Sequence, residues 1–446
     1  MIMKNLNYKT IGLFGFGIEN QALLKYLLKK KIFARFVVCD NRDKSALAER
    51  MRKFSRCKNI VWIFGGASGK DFPKFDIVFR SPGWPLFDKL IKKARLSGAD
   101  ISSPMQLFCD LCPTKNLIGV SGTKGKGTTS SLIAAMLKTA GKKTYLGGNI
   151  GVAPFSFLDK LKIGDFVVLE LSSFQLEDLQ ATFRAAVFTN FSREHLLPAD
   201  PNNPNCHGTM AKYLDAKLNL FRFQKNSGAA FVNRRMKKKF EGKALKGSVP
   251  AGNLFFFGKS DLPSRLIGEH NRENIAAASA VVEFFKISQK AIAAAVKKFA
   301  GLEHRLEFVC ERQGVRYYND SFATMPDATI TALKSFSEPI ILIAGGAHKG
   351  SDFSALAREM KKRAKCAIIF SGQALPHILR ALKQASFPKE NIFQTDSMQD
   401  ALLKARKATA KGDVVLLSPA CASFGIFNNY KERGEMFKTF SSKIHL

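Results

Sequence analysis

Gly119-Val120-Ser121-Gly122-Thr123-Lys124-Gly125-Lys126-Gly127-Thr128-Thr129 is the stretch that decides how this chain is read. An apolar run, Leu117-Ile118-Gly119-Val120, leads into it. A helical pattern from Ser130 to Ala140 leads out, with Leu132, Ile133, Met136, Leu137 and Ala140 on one face. Strand, glycine-rich turn and helix together set backbone N–H groups and a helix N-terminus around an anion. Gly122, Gly125 and Gly127 let the main chain approach phosphate without a Cβ in the way. Lys126 adds a point charge for the β- and γ-phosphates, and Thr128 or Thr129 offers a hydroxyl to Mg²⁺. The spacing is tighter than the usual G-x-x-x-x-G-K-[ST], and Gly127 stands where a hydroxyl residue normally follows the lysine.

Working outward, 446 residues suffice for about two to four domains, each with its own core. No uninterrupted apolar run approaches the ~18 residues a membrane span needs. Met1-Ile2-Met3-Lys4-Asn5 leads into a polar segment and a strand, without the pattern of a secretory signal. The expectation is a soluble cytoplasmic protein with no membrane insertion, acting as a monomer. The 70 Lys+Arg against 36 Asp+Glu give a formal net charge of +34, which raises nucleic acid as a partner. The basic residues are spread along the chain, however, with Lys29-Lys30-Lys31 and Arg234-Arg235-Met236-Lys237-Lys238-Lys239 the densest runs. They read as solvated surface, and no nucleic-acid partner is expected. Eight cysteines form no disulfide framework, and Cys109-Asp110-Leu111-Cys112 lacks a second pair, so it reads as a buried helix end and not a zinc site.

The fold class is α/β in three domains. Residues 1–112 read as a Rossmann-like unit, with strand Thr10–Phe14, the turn Gly15-Phe16-Gly17, a helix from Glu19 to Lys30 and strand Phe36–Cys39 closed by Asp40. Gly12, Gly15 and Gly17 do not make a full dinucleotide fingerprint. Ser81-Pro82-Gly83, after a strand at Asp76–Phe79, is either a ligand contact or a simple turn. Residues 113–300 form a P-loop ATPase-like, mostly parallel domain. Phe166–Leu169 is a buried strand, so Glu170 falls at its C-terminal end, where ligand groups gather in parallel sheets. A carboxylate beside triphosphate needs a cation, which makes Glu170 the first Mg²⁺ ligand. Asn271 and Asn274 lie one helical turn apart and can face an adenine edge. Residues 301–446 form a second Rossmann-like unit, with strands Val315–Asn319, Ile340–Ala344, Cys366–Phe370 and Val414–Leu417. Gly345-Gly346-Ala347-His348-Lys349-Gly350 follows one of them, so Lys349 can meet a carboxylate.

The loop at 119–129 resembles the ATP-binding loop of the Mur ligase superfamily. Glu170-Leu171-Ser172-Ser173-Phe174-Gln175-Leu176, His270-Asn271-Arg272-Glu273-Asn274, Gly301-Leu302-Glu303-His304-Arg305 and Ser418-Pro419-Ala420-Cys421-Ala422-Ser423-Phe424 are similar to its D-glutamate-adding branch, nearly end to end. The resemblance implies ATP and Mg²⁺ as cofactors, with UDP-N-acetylmuramoyl-L-alanine and D-glutamate as substrates. ATP would be held by Gly122, Thr123, Lys124, Gly125, Lys126, Gly127, Thr128 and Thr129, with Asn271, Asn274, Arg305 and Asp320. The UDP substrate would meet Gly15, Phe16, Gly17, Ile18, Asp40, Arg42, Ser81, Gly83, Asn149 and Ser172. The amino acid would meet Thr324, Lys349, Ser423 and Tyr430. Metal would be held by Thr128, Glu170, His195 and a carbamylated Lys217, and the catalytic residues would be Lys126, His195 and Lys217. The chain departs from the family pattern in Leu196-Leu197-Pro198-Ala199 after the histidine, in an apparent insertion from Asn203 to His207, and in Phe322 where many relatives have lysine.

Two alternatives stand beside this reading. A folylpolyglutamate synthase also carries glycine after the lysine, but lacks an explanation for the N-terminal Rossmann-like unit and for Ser418–Phe424. A basic nucleic-acid-binding ATPase leaves His304, Arg305, Ser423 and the third domain without a task.

Overall fold

The computed structural model describes residues 4–65, 72–198, 204–241, 253–348 and 350–443, so Lys349 and Asn203 lie outside the described residues. Three sheets form within them. The first contains β1 (Thr10–Phe14), β2 (Arg35–Asp40), β3 (Ile60–Phe64), β4 (Ile77–Arg80) and β5 (Asp100–Ser102), all parallel, in the order β3-β2-β1-β4-β5. The order reverses between β1 and β4, so a ligand crevice opens beyond Phe14 and Arg80.

The second sheet contains β6 (Asn116–Ser121), β7 (Thr144–Gly148), β8 (Phe166–Glu170), β9 (Ala185–Phe188), β10 (Ala229–Asn233) and β11 (Leu254–Phe257). Its order is β11-β10-β9-β6-β8-β7, again all parallel. Every residue of β8 and β9 is buried, as expected of strands covered on both faces. The third sheet contains β12 (Glu307–Arg312), β13 (Val315–Asn319), β14 (Ile340–Ala344), β15 (Ala364–Phe370), β16 (Ile392–Thr395) and β17 (Val414–Leu417), in the order β12-β13-β17-β14-β15-β16. Leu342 and Ile369 point into one apolar cluster, while Ile341, Ile343 and Ile368 point into another, so the sheet is covered on both faces.

The chain divides into two compact units: Met1–Ser260 with Glu273–Ala295, and Asp261–Arg272 with Val296–Leu446. The first two sheets share the first unit because one apolar cluster runs through both, from Leu24 and Phe108 to Phe155, Leu169 and Phe188. Phe155 is the bridging ring, 5.0 Å from Tyr26 and 6.1 Å from Phe108. No described helix is long and apolar enough to cross a membrane. Cys109 lies in the helix Pro104–Leu111 with Cys112 as its C-cap, and both are free thiols.

Candidate active site

The phosphate loop joins β6 to the helix Lys126–Thr139. That helix begins four residues earlier than the pattern of apolar residues suggests. Gly125, at φ 80°, is its N-cap in the left-handed region, and a Cβ there would overlap Asn274 Oδ1. Leu132, Ile133, Met136 and Leu137 bury the face that anchors it. Thr129 is fully buried and its hydroxyl donates to Asn274 Oδ1 at 3.2 Å, whereas Thr128 is only half-buried. Of the two threonines, Thr128 therefore has the accessible hydroxyl. The loop's far side is fixed by Asn190, whose Oδ1 accepts from the Lys124 amide at 2.8 Å, and by Thr189, whose hydroxyl donates to Lys124 O at 2.6 Å.

Two lysines converge on one carbonyl. Lys126 Nζ donates to Gly122 O at 3.1 Å and Thr123 O at 2.8 Å, and Lys217 Nζ donates to the same Gly122 O at 2.7 Å. Lys217 is 1% exposed, inside the helix Met210–Arg222. Its ammonium lies 4.7 Å from the centre of the Tyr213 ring, and Tyr213 Oη is 3.2 Å from Thr123 Oγ1. Burial, reinforced by the Lys126 charge, holds the Lys217 pKa well below the usual lysine range. Glu170 ends β8, the strand beside β6, and is 5% exposed. Asn149 Nδ2 donates to its Oε1 at 2.9 Å.

His195 has φ 57°, a left-handed conformation uncommon for a residue with a side chain. The Phe174 ring packs edge-on against it at 5.1 Å and the Tyr213 ring at 5.7 Å. Burial lowers its pKa, with Lys126 and Lys217 adding to the effect against Glu194. His207, in the segment read as an insertion, donates its backbone N–H to His195 O at 2.9 Å. Its ring stacks on Phe174 at 4.7 Å, and Nε2 lies 2.8 Å from Ser173 Oγ. Burial, then the neighbouring His195 and Lys217, push His207 down to about 4.

At the mouth of the first sheet, Gly15 follows β1 with φ 76°, and a Cβ there would overlap Ser81 Oγ across the crevice. Gly17 caps the helix Ile18–Lys29, and Ile18 is 74% exposed beside it. Phe16 is buried, and its amide donates to Asp40 Oδ2 at 2.6 Å. Arg42 grips the same carboxylate with Nε at 2.8 Å and Nη2 at 2.7 Å. Burial alone would raise the Asp40 pKa, but these bonds outweigh it and lower it. Ser81 is buried and Gly83 half-buried. Ser172 caps the helix Ser173–Leu176 in a reciprocal box with Gln175. The Gln175 amide also bonds Glu19, a carboxyl that burial pushes up to about 7. Arg80, at the end of β4, is 1% exposed. It holds Asp178 through Nε at 3.0 Å and Nη2 at 2.9 Å, and Trp84 O at 2.8 Å. Neither Arg80 nor the role of His207 can be read from the sequence, because Asp178, Phe174 and Ser173, which they meet, are distant along the chain.

In the second unit, Asp320 and Thr324 follow β13 and Ser423 follows β17. Asp320 follows β13, accepts from Ser418 Oγ at 2.8 Å and from the Leu306 amide at 3.2 Å, and is pushed by burial up to about 7. The Arg305 guanidinium lies 3.9 Å from the centre of the Phe322 ring, which itself packs edge-on to Tyr430 at 5.0 Å. Thr324 is half-buried and Ser423 is 4% exposed. Asn271 donates from Nδ2 to Ile267 O at 2.7 Å, so part of its bonding capacity ties down its own helix start.

Residues 120–253 match the Mur ligase middle domain, and residues 304–421 match the Mur ligase, glutamate ligase domain. The chain is 36% identical over 454 residues to the UDP-N-acetylmuramoylalanine–D-glutamate ligase of Clostridium kluyveri, covering 96% of each chain. It is 35% identical over 460 residues to that of Clostridium novyi, covering 98% of this chain and 97% of the relative. Among solved structures it shares the fold of a UDP-N-acetylmuramate-alanine ligase from Thermotoga maritima, with TM-score 0.57, 18% identity and coverage of 98% and 99%. A folylpolyglutamate synthase from the same organism has TM-score 0.53 and 15% identity, and covers 76% of this chain and 91% of its own. A phosphate loop with two converging lysines, carried in a chain similar end to end to these enzymes, belongs to the UDP-N-acetylmuramoylalanine–D-glutamate ligase family of the Mur ligases.

Proposed function

We propose that the protein joins D-glutamate to UDP-N-acetylmuramoyl-L-alanine at the expense of ATP, which is converted to ADP and phosphate. The terminal carboxylate of the acceptor attacks the γ-phosphorus, ADP departs, and an acyl phosphate forms. The D-glutamate amine then attacks the acyl carbon, loses a proton, and expels phosphate to leave the amide. The observation that carries this reading is the convergence of Lys126 and Lys217 on the Gly122 carbonyl, one strand from Glu170. Lys126 would neutralise charge on the transferring phosphoryl group, and the loop amides would hold the phosphates that flank it.

The donor set fits Mg²⁺: a buried carboxylate at Glu170 and an accessible hydroxyl at Thr128 are hard oxygen ligands. Glu170 and Thr128 would hold Mg²⁺, whose charge would offset that of the phosphates. An ammonium at Lys217 would repel such an ion, and a carbamate at the same atom would supply anionic oxygens, so we read Lys217 as carbamylated. His195 is proposed as a ligand of a second ion. In this reading residues 1–112 hold the UDP end of the acceptor, residues 113–300 hold ATP, and residues 301–446 hold the amino acid. ATP and a UDP-linked precursor suit a cytoplasmic monomer.

The folylpolyglutamate alternative is less well supported, since the muramoylalanine ligases cover 96% of this chain and that structure covers 76%. The test is an incubation of purified protein with ATP, Mg²⁺, UDP-N-acetylmuramoyl-L-alanine and a panel of amino acids, scored for phosphate release and product mass. Release that requires the precursor and D-glutamate is expected. Release that requires DNA, or a pteroyl substrate, would overturn the reading.

A further inference from the structure

The helix Tyr430–Lys443 carries a side chain that the reaction scheme has not used. Arg433 is 0% exposed, among the largest fully buried side chains of the chain. Its guanidinium makes four bonds, all to neutral oxygens. Nε donates to Ser321 Oγ at 3.0 Å and Nη2 to Ser321 O at 2.9 Å. Nη1 and Nη2 each donate to Cys421 O at 3.2 Å. Among the described residues no carboxylate pairs with it. The Ser321 hydroxyl passes the connection on by donating to Tyr430 O at 2.7 Å. The next residue, Gly434, lies so close to His304 Nδ1 that a Cβ there would overlap it.

One guanidinium thus holds together the two loops that the amino acid is expected to meet. Ser321 belongs to Asn319–Thr324, Cys421 stands two residues before Ser423, and Tyr430 lies one turn before Arg433 on the same helix. Fully buried arginines normally have acidic partners, because an uncompensated charge in the interior is costly. Here the compensating charge is absent among the described side chains, and the substrate in the reading above is a dicarboxylate.

We propose that Arg433 is the positioning residue of the amino-acid pocket: it fixes the spacing of the Ser321 and Cys421 main chains, and its unpaired charge selects an acidic amino acid over its amide. The proposal rests on the D-glutamate ligase reading. The spacing role acts through the loops, and the charge acts through space, since the guanidinium itself is enclosed.

Two variants test it. Arg433→Gln keeps a donor and removes the charge; Arg433→Lys keeps the charge and removes the fork. Rates are measured with D-glutamate and D-glutamine, KM is measured separately for ATP, and circular dichroism monitors the fold. In Arg433→Gln, KM for D-glutamate should rise about tenfold or more, KM for ATP should stay within about twofold, and the preference for D-glutamate over D-glutamine should shrink by about tenfold. Arg433→Lys should keep that preference although KM rises. An undiminished preference in a folded Arg433→Gln, or equal rises in both KM values, would reduce the residue to packing and overturn the proposal. If Arg433→Gln does not fold, Arg433→Lys decides, and loss of the preference there overturns it. If the parent protein ligates a different acidic amino acid, the reaction reading fails by itself, and the same acid-against-amide comparison still tests Arg433.

Discussion

A lysine at 1% exposure, 2.7 Å from a carbonyl that a second lysine also uses, is an expensive arrangement for a surface residue type. Lys217 sits in a helix whose sequence, Tyr213-Leu214-Asp215-Ala216-Lys217, gives no hint of it. Its depressed pKa favours the neutral amine, the form that reacts with carbon dioxide, and the resulting carbamate would replace repulsion with attraction toward Mg²⁺. Lys217→Ala should be nearly inactive, and a short carboxylic acid added in solution should restore part of the activity. Lys217→Arg should stay inactive, because guanidinium keeps the wrong charge. Labelled bicarbonate should give a carbamate carbon resonance in the parent protein that both variants lack. A fully active Lys217→Arg would refute this role.

At the scale of elements, the strand–turn–helix at 119–129 could be read because each piece is locally encoded. β6 is a continuous apolar run, and glycines mark the turn. The apolar pattern places the helix start four residues late because Lys126, Gly127, Thr128 and Thr129 carry little of it; Gly125 at φ 80° sets the boundary instead. Gly125→Ala should therefore destabilise the protein by about 1–2 kcal/mol and weaken ATP binding, measured by denaturation and nucleotide titration. Unchanged affinity would mean that the overlap with Asn274 is relieved without moving the loop. Asp320 supplies a second test. Its carboxyl sits at about 7 in the fold, against 3.8 for the free group, so between those values the native state holds a proton that the unfolded chain has released. The associated stability is fully present below about pH 4 and is lost as pH rises through about 7. The Tm of the parent minus that of Asp320→Asn should fall across this interval; a constant difference would contradict the assignment. Glu170 was legible because it stands at a strand end, whereas Asp320 and Ser423 were legible only through the motifs that resemble the family's. Arg80, His207 and Arg433 were not, because what defines them is a partner about 90 to 110 positions away or a ring stacked on from another loop.

On the scale of the whole molecule, three strand-rich stretches were legible in the sequence, but the grouping of the first two sheets into one compact unit was not. That grouping depends on Phe155 and on Arg80, whose contacts run between segments far apart in sequence. Arg80→Met should cost about 3–5 kcal/mol, since it leaves Asp178 and the nearby Glu177 without their cation. Urea unfolding should show the loss, and a midpoint equal to that of the parent would show that the buried pair contributes nothing net. The order of strands in the third sheet has a further consequence, for how the chain acquires its structure. β17 lies between β13 and β14, yet it is the last strand to be made, and Leu417 is the residue that pairs with both Asn319 and Ile343. The edges of β13 and β14 that face it must wait uncovered until synthesis has passed residue 417. The hairpin of β12 and β13, the one antiparallel strand pair among the described residues, and the parallel set β14-β15-β16 can each form first, but β17 alone joins them. The third sheet is thus built to be completed late, and newborn chains cut short before residue 417 would expose the apolar edges of β13 and β14 and be prone to aggregate.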